Sequence, residues 1–121
     1  TTTSGSSRYF KGSVTAYANE VKEHVLGVEH AVLVQNGAVS EPVVRAMAEG
    51  ARRLLQTDYS IATTGIAGPE GGTPEKPVGT VWIAVATPHD VIARKYNFGN
   101  DRIRFIQRAA NAAFDLLRRN L

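Results

Sequence analysis

The stretch Thr80-Val81-Trp82-Ile83-Ala84-Val85-Ala86 decides the fold, because almost every residue in it is apolar. Successive side chains of a strand point to opposite faces of a sheet, so a strand of this composition is buried on both faces. Other elements must cover both faces of such a sheet, and the neighbouring segments alternate between strand and helix patterns. The stretch therefore predicts an internal strand. The fold class that follows is α/β, a three-layer α/β/α arrangement with a mixed sheet.

The segments on either side of this strand alternate between strand and helix patterns. Further strands are predicted over residues 12–17, 59–63 and 91–98. Asn19 is expected to cap a short helix over residues 20–26, which Gly27 ends. A longer helix starts at Ser40-Glu41-Pro42 and continues to about residue 56. The closing helix, over about 101–119, presents an apolar stripe made of Ile103, Ile106, Ala110, Phe114 and Leu117.

Length and composition limit the class of protein. The 121 residues suffice for one domain over residues 1–121, and 43% hydrophobic with 21% charged residues is an ordinary globular profile. There is no cysteine, which excludes disulfides, thiolate nucleophiles and zinc–cysteine sites. No apolar run approaches the ~18 residues of a membrane-spanning helix, and the N-terminus lacks a secretory signal pattern. We therefore expect a cytoplasmic protein that binds no membrane.

The charged and metal-binding residue types show little clustering. The net charge is only +3, and the basic residues gather mainly in the last helix without interleaved aromatic residues, so nucleic acid is not an expected partner. No metal site is expected, because no paired ligand spacing links the three histidines, His24, His30 and His89.

A glycine-rich loop, Gly65-Ile66-Ala67-Gly68-Pro69-Glu70-Gly71-Gly72, follows a predicted strand, where α/β sheets place ligand sites. It matches neither a Walker motif nor a dinucleotide-binding fingerprint. Its four glycines would still allow consecutive backbone N–H groups to point at one anion. The alternative is a mobile surface loop.

Two further segments carry residue types that can do chemistry. Gly5-Ser6-Ser7 precedes Tyr17 and Lys22, and Lys22 is expected in the first turn of its helix. The helix dipole disfavours positive charge there, which helps a lysine that accepts a proton. The alternative is a flexible end, a strand tyrosine and a solvated lysine. Arg102 is expected early in the last helix, where it is either functional or one more surface arginine.

Several strings recur in a familiar order along the chain. They are Gly5-Ser6-Ser7-Arg8-Tyr9-Phe10, Tyr17-Ala18-Asn19-Glu20-Val21-Lys22, Leu26-Gly27-Val28, Gly37-Ala38-Val39-Ser40-Glu41-Pro42-Val43, Thr64-Gly65-Ile66-Ala67-Gly68-Pro69-Glu70-Gly71-Gly72 and Glu75-Lys76-Pro77-Val78-Gly79-Thr80-Val81-Trp82. Together they resemble the C-terminal domain of the CinA family over essentially the whole chain. Family members also carry an upstream helix and strand with a Glu-Ser-Cys-Thr-Gly-Gly motif. This sequence does not include them, so we expect a domain that lacks its N-terminal strand and helix.

The resemblance implies a function. The family includes the bacterial nicotinamide-nucleotide amidase, a serine–lysine hydrolase that converts nicotinamide mononucleotide to nicotinate mononucleotide and ammonia in pyridine-nucleotide salvage. By this resemblance Ser7 is the nucleophile, Lys22 the general base and Tyr17 an assisting hydroxyl. The positions that match the nucleotide site are Thr64, Gly65, Ala67, Gly68 and Arg102. The resemblance implies a nucleotide substrate, no cofactor and a homo-oligomer. A non-catalytic nucleotide-binding or regulatory module is the alternative.

The chemistry of a serine–lysine pair sets one requirement that a structure can test. Lysine has a pKa of about 10.4, whereas an effective general base has a pKa of about 7–8. That difference corresponds to ~4 kcal/mol, and a helix terminus supplies only about 0.3–1 kcal/mol. Desolvation must supply the rest, so Lys22 should be largely buried. Its Nζ should lie within ~3–4 Å of the Ser7 hydroxyl.

Overall fold

A computed structural model describes residues 11–12, 14–16, 18–66, 71–99 and 102–121, without the side chains at 102, 103, 105 and 106. The elements in chain order are α1 (Asn19–His24), α2 (His30–Asn36), α3 (Glu41–Leu55), β1 (Ser60–Gly65), β2 (Thr80–Ala86), β3 (Val91–Asn97) and α4 (Arg102–Arg119). The three strands form one sheet with β2 in the middle. The internal strand predicted over 80–86 is therefore confirmed.

Two helical layers cover the two faces of β2. Trp82, Ala84 and Ala86 pack in the same hydrophobic cluster as the buried residues of α3. The alternate side chains, among them the fully buried Ile83, pack in a second cluster with α4. The α/β class and the three-layer α/β/α arrangement are confirmed for the described residues.

The described strands pair only in the antiparallel sense, whereas the sequence analysis predicted a mixed sheet. The connections explain the difference. A tight turn over residues 87–90 joins β2 to β3, and Thr87 N–H donates to the Asp90 carbonyl across it at 2.8 Å. The loop between β1 and β2 is closed at its neck, where Gly79 N–H donates to the Ile66 carbonyl at 2.7 Å. The turn over 87–90 is too short for the crossover that a parallel pair requires, and the closed neck of the other loop brings the end of β1 and the start of β2 together, so both pairs are antiparallel.

The start of α3 is close to the prediction. Ser40 is the N-cap residue with an extended backbone, and proline lies in the first turn. The Ser40 hydroxyl, however, donates to the Gly37 carbonyl at 2.8 Å instead of accepting a bond from the helix. The helix ends at Leu55, and the left-handed backbone of its C-cap residue Gln56 (φ 53°) stops it close to the predicted position.

Two predictions near the N-terminal side are wrong. Asn19 does not cap the first helix but is its first residue, and the N-cap residue is Ala18 without a side-chain bond. The predicted strand over 12–17 contains no strand among its described residues. Val14 and Ala16 instead pack against the α3 cluster, so burial in that cluster and not strand pairing accounts for their apolar character.

The apolar stripe predicted for α4 is shifted around the helix. Ala109, Ala113 and Leu116 are buried against the sheet and the predicted Leu117 packs beside them, whereas the predicted Ala110 is exposed and Phe114 is 65% exposed. The side chains of Ile103 and Ile106 lie outside the described residues. Alanines occupy both candidate faces, so periodicity alone did not distinguish them. No helix in the described ranges has the length and apolar character needed to cross a bilayer.

Candidate active site

Lys22 is a buried lysine in the short helix α1. Only 7% of its surface is exposed, which confirms the burial that its expected role requires. Its Nζ donates to the carbonyl oxygen of Ala16 at 2.9 Å. The segment before α1 therefore serves as the hydrogen-bond partner of this lysine.

Burial lowers the pKa of Lys22 below its ordinary value of 10.5, because desolvation disfavours the charged form. The helix dipole does not contribute in the predicted direction. Since α1 has only six residues, Lys22 lies in its last turn, where the negative end of the dipole favours a positive charge. Lys22 is thus the fourth of six residues and does not lie in the first turn alone, as predicted, and burial is the cause that lowers its pKa.

A cavity of about 900 Å³ runs along β1 and contains Lys22 in its wall. Thr64 and Gly65, at the end of β1, line the same cavity. Three site residues predicted from the sequence, Lys22, Thr64 and Gly65, therefore line one cavity. Its other walls come from the segment before α1, from α3 and from α4, and they are largely apolar.

Thr64 lies on the buried face of β1, between the exposed Thr63 and Gly65. Its hydroxyl donates to the Ala38 carbonyl at 2.8 Å, which joins the end of β1 to the connection between α2 and α3. Because this hydroxyl proton is used within the protein, the remaining capacity of the Thr64 oxygen is to accept a hydrogen bond.

The other predicted site residues lie outside the described residues. They are Ser7, Tyr17, Ala67 and Gly68, together with the side chain of Arg102, whose backbone begins α4. The distance between Lys22 Nζ and the Ser7 hydroxyl stays a prediction, as does the meeting of the glycine loop with Ser7 and Arg102.

Sequence reasoning missed three contributors to this region. Ala16 and Ala38 act through backbone carbonyls, which no side-chain pattern reveals. Lys11 lines the cavity, and its Nζ donates to the Gln56 carbonyl at the end of α3 at 3.0 Å. In the described part of the chain no cluster of histidine, aspartate and glutamate could hold a metal ion.

Comparison with known proteins identifies the family. A family profile described as the CinA C-terminal domain matches residues 1–121. The chain belongs to the CinA C-terminal domain family. This CinA domain is 56% identical over 115 residues to a CinA-like protein of Gemmatimonas aurantiaca, which covers 95% of this chain and 27% of that protein. It is 52% identical over 118 residues to a CinA-like protein of Salinibacter ruber, covering 98% and 29% respectively. The chain thus spans less than a third of the length of these curated relatives.

Solved structures of the same superfamily support the fold. The competence damage-inducible protein A (ComA) of Klebsiella pneumoniae aligns with a TM-score of 0.90 and 31% identity, over 95% of this chain and 71% of that one. A CinA superfamily protein of Escherichia coli aligns with a TM-score of 0.82 and 34% identity, over 87% and 61%. These similarities establish the CinA fold for this chain.

Proposed function

We propose that this CinA domain hydrolyses the carboxamide of nicotinamide mononucleotide to nicotinate mononucleotide and ammonia by a serine–lysine mechanism. The observation that carries the proposal is the state of Lys22, which is buried in the wall of a cavity with its pKa lowered by desolvation. A structural lysine is rarely buried without a carboxylate partner. Among the described residues, the hydrogen-bond partner of Lys22 is a neutral carbonyl and no carboxylate pairs with it, so desolvation lowers its pKa without an opposing ion pair.

In the proposed reaction the neutral Lys22 amine takes the hydroxyl proton of Ser7 as the Ser7 oxygen attacks the carboxamide carbon. The protonated Lys22 then gives this proton to the leaving nitrogen. The carbon–nitrogen bond breaks, ammonia departs, and the acyl group is left as an ester on Ser7. Water, deprotonated by Lys22, attacks the ester and releases nicotinate mononucleotide as Ser7 regains its proton.

The remaining residues would bind and orient the nucleotide. Tyr17 would assist the proton transfer near Ser7. Thr64 and Gly65 lie at the end of β1, beside the cavity that contains Lys22, which suits a role in holding the substrate. Ala67, Gly68 and Arg102 would complete the binding of the nucleotide through backbone N–H groups and a guanidinium, both of which favour a phosphate.

The decisive experiment measures ammonia release from nicotinamide mononucleotide by the full-length protein and by Lys22→Arg. Arginine keeps the positive charge but does not deprotonate near neutral pH, so kcat should fall by about 10²–10⁴-fold. The matched control is Lys95→Arg, the same change at an exposed lysine of β3, which should keep wild-type turnover. Ser7→Ala should also abolish ammonia release.

Two results would overturn the proposal in different ways. Wild-type turnover by Lys22→Arg would show that this lysine is not the general base. Nucleotide binding by the wild type without any ammonia release would replace the amidase with a non-catalytic nucleotide-binding module.

A further inference from the structure

Lys76 begins the Lys76-Pro77-Val78-Gly79 string, and it has no role in the proposed reaction. Its side chain is half-buried, and its Nζ donates to the carbonyl oxygen of Asn36 at 2.6 Å. The two residues are forty positions apart, so this bond connects the loop between β1 and β2 to the end of α2.

The geometry at Asn36 suits a lysine. Asn36 is the last residue of α2, and the final carbonyls of a helix lack intrahelical partners and attract cations. The next residue, Gly37, has a positive φ of 77°, and a Cβ there would lie only 3.0 Å from Lys76 Nζ. A side chain at this position would therefore disturb both the turn and the lysine.

The loop residues around Lys76 form a compact unit. Thr73 N–H donates to the Lys76 carbonyl at 2.9 Å, and Lys76 N–H donates back to the Thr73 hydroxyl at 3.0 Å. A Cβ at Gly72 would lie 2.6 Å from the backbone nitrogen of Val78, so the backbone at the start of this segment packs directly against the backbone at its end. A bond from Lys76 to α2 thus orients the whole segment 71–79 relative to the rest of the domain.

Residues 36–38, which connect α2 to α3, also hold the end of β1, the strand that precedes the loop. Thr64, at the end of β1, donates to the Ala38 carbonyl, two residues after the carbonyl that Lys76 uses. The segment before the glycine loop and the segment after it are therefore both fixed to residues 36–38. Lys76 supplies one of these two attachments, and Thr64, in the cavity wall, supplies the other.

We propose that Lys76 is a positioning residue for the nucleotide site, acting through its bond to Asn36 and not by contact with the reacting atoms. This inference rests on the proposed function, because it takes the end of β1, Thr64 and Gly65, as the substrate-binding side of the cavity. Gly79 N–H donates to the Ile66 carbonyl, so the segment that Lys76 orients is bonded to the residue that follows β1. Loss of the bond should weaken nucleotide binding while it leaves the chemistry at Lys22 intact.

The experiment compares Lys76→Met with wild type in the full-length protein. Methionine keeps most of the side-chain volume but has no donor for the Asn36 carbonyl. KM for nicotinamide mononucleotide should rise about tenfold with kcat within about threefold, the pattern of lost binding without lost chemistry. Hydrogen exchange of the amides in residues 71–79 should accelerate. Lys76→Arg, which retains a donor, should restore KM to within about threefold of wild type.

The matched control is Lys95→Met, which removes the same charge from an exposed position on β3 and should change neither KM nor exchange in residues 71–79. An unchanged KM for Lys76→Met would overturn the proposal, and so would a raised KM with unchanged exchange, which would mean direct substrate contact. If the wild type releases no ammonia, the proposed amidase function is refuted, but the proposal about Lys76 is still open to test. The dissociation constant of the nucleotide then replaces KM as the readout for Lys76.

Discussion

Replacing Gly50 by alanine tests how closely α3 packs against Leu26, which follows the helix α1 that contains Lys22. Gly50 is buried inside α3, and a Cβ at this position would overlap the carbonyl oxygen of Leu26. The same Cβ would lie 2.7 Å from the Leu26 carbonyl carbon. Carbon atoms pack best at about 3.5–4.0 Å, and the overlap with the oxygen is closer still, so the two backbones would have to separate by more than about 1 Å.

Two opposing effects determine how much Gly50→Ala changes the free energy of unfolding. Alanine is the better helix former, which by itself would raise the free energy of unfolding by about 1 kcal/mol. Overpacking costs about 1–3 kcal/mol, and the upper end applies here because both contacting groups are backbone and no flexible side chain can move away. The net result is a loss of about 2 kcal/mol, or roughly 8 °C in Tm for a domain of this size.

Urea denaturation followed by circular dichroism measures this loss. The helix-propensity effect can be measured separately at the neighbouring Glu49, which is exposed, by comparing Glu49→Ala with Glu49→Gly. Both variants remove the ion pair between Glu49 and Arg53, so their difference of about 1 kcal/mol isolates the preference for alanine. If Gly50→Ala stabilised the domain by the same amount, the packing argument would be refuted.

Two further predictions concern α4 and the buried lysine. Leu116→Ala should lower the free energy of unfolding by about 2–5 kcal/mol, and Phe114→Ala by less than about 1 kcal/mol, because the first side chain is buried and the second is exposed. Urea denaturation measures both, and the opposite order would support the stripe first predicted for α4. Because burial lowers the pKa of folded Lys22, the contribution of this neutral side chain to the free energy of unfolding is fully present above pH 10.5 and is lost as pH falls through the lowered folded pKa. The difference in the free energy of unfolding between wild type and Lys22→Met should therefore change as pH falls from above 10.5 through the lowered folded pKa, and a difference that stays constant over this range would contradict the lowered pKa.

The fold could be predicted where the sequence pattern allows a single interpretation. β2 is apolar at nearly every position, so neither a surface strand nor an exposed helix fits it. α3 has a serine before its first residue and a proline in its first turn. α2 was missed because its seven residues are preceded by Glu29, which makes no side-chain capping bond, and because its apolar residues form no clear stripe. Short helices of this kind depend on tertiary contacts for their stability.

The candidate site shows a similar division. The burial of Lys22 followed from the chemical requirement for a lowered lysine pKa, and the structure confirms it. Its position in the helix did not follow, because α1 ends at His24, earlier than the glycine signal at Gly27 indicated. The hydrogen-bond partners of Lys22, Thr64 and Lys76 are backbone carbonyls, which no side-chain pattern reveals. Those of Thr64 and Lys76 are 26 and 40 residues away along the chain, so these two contacts depend on the tertiary fold.

The separation of the hydrophobic residues into two clusters by β2 has a consequence for protein engineering. The cluster on the α4 side includes the half-buried Ile92, Tyr96 and Ala112, and none of these three lines the cavity that contains Lys22. A library of substitutions at these positions can therefore be selected for heat resistance alone, with turnover as an independent second screen. On the other side of the sheet, Met47 and Ala51 of α3 belong to the first cluster and also line the cavity that contains Lys22, so substitutions there would change stability and the cavity together.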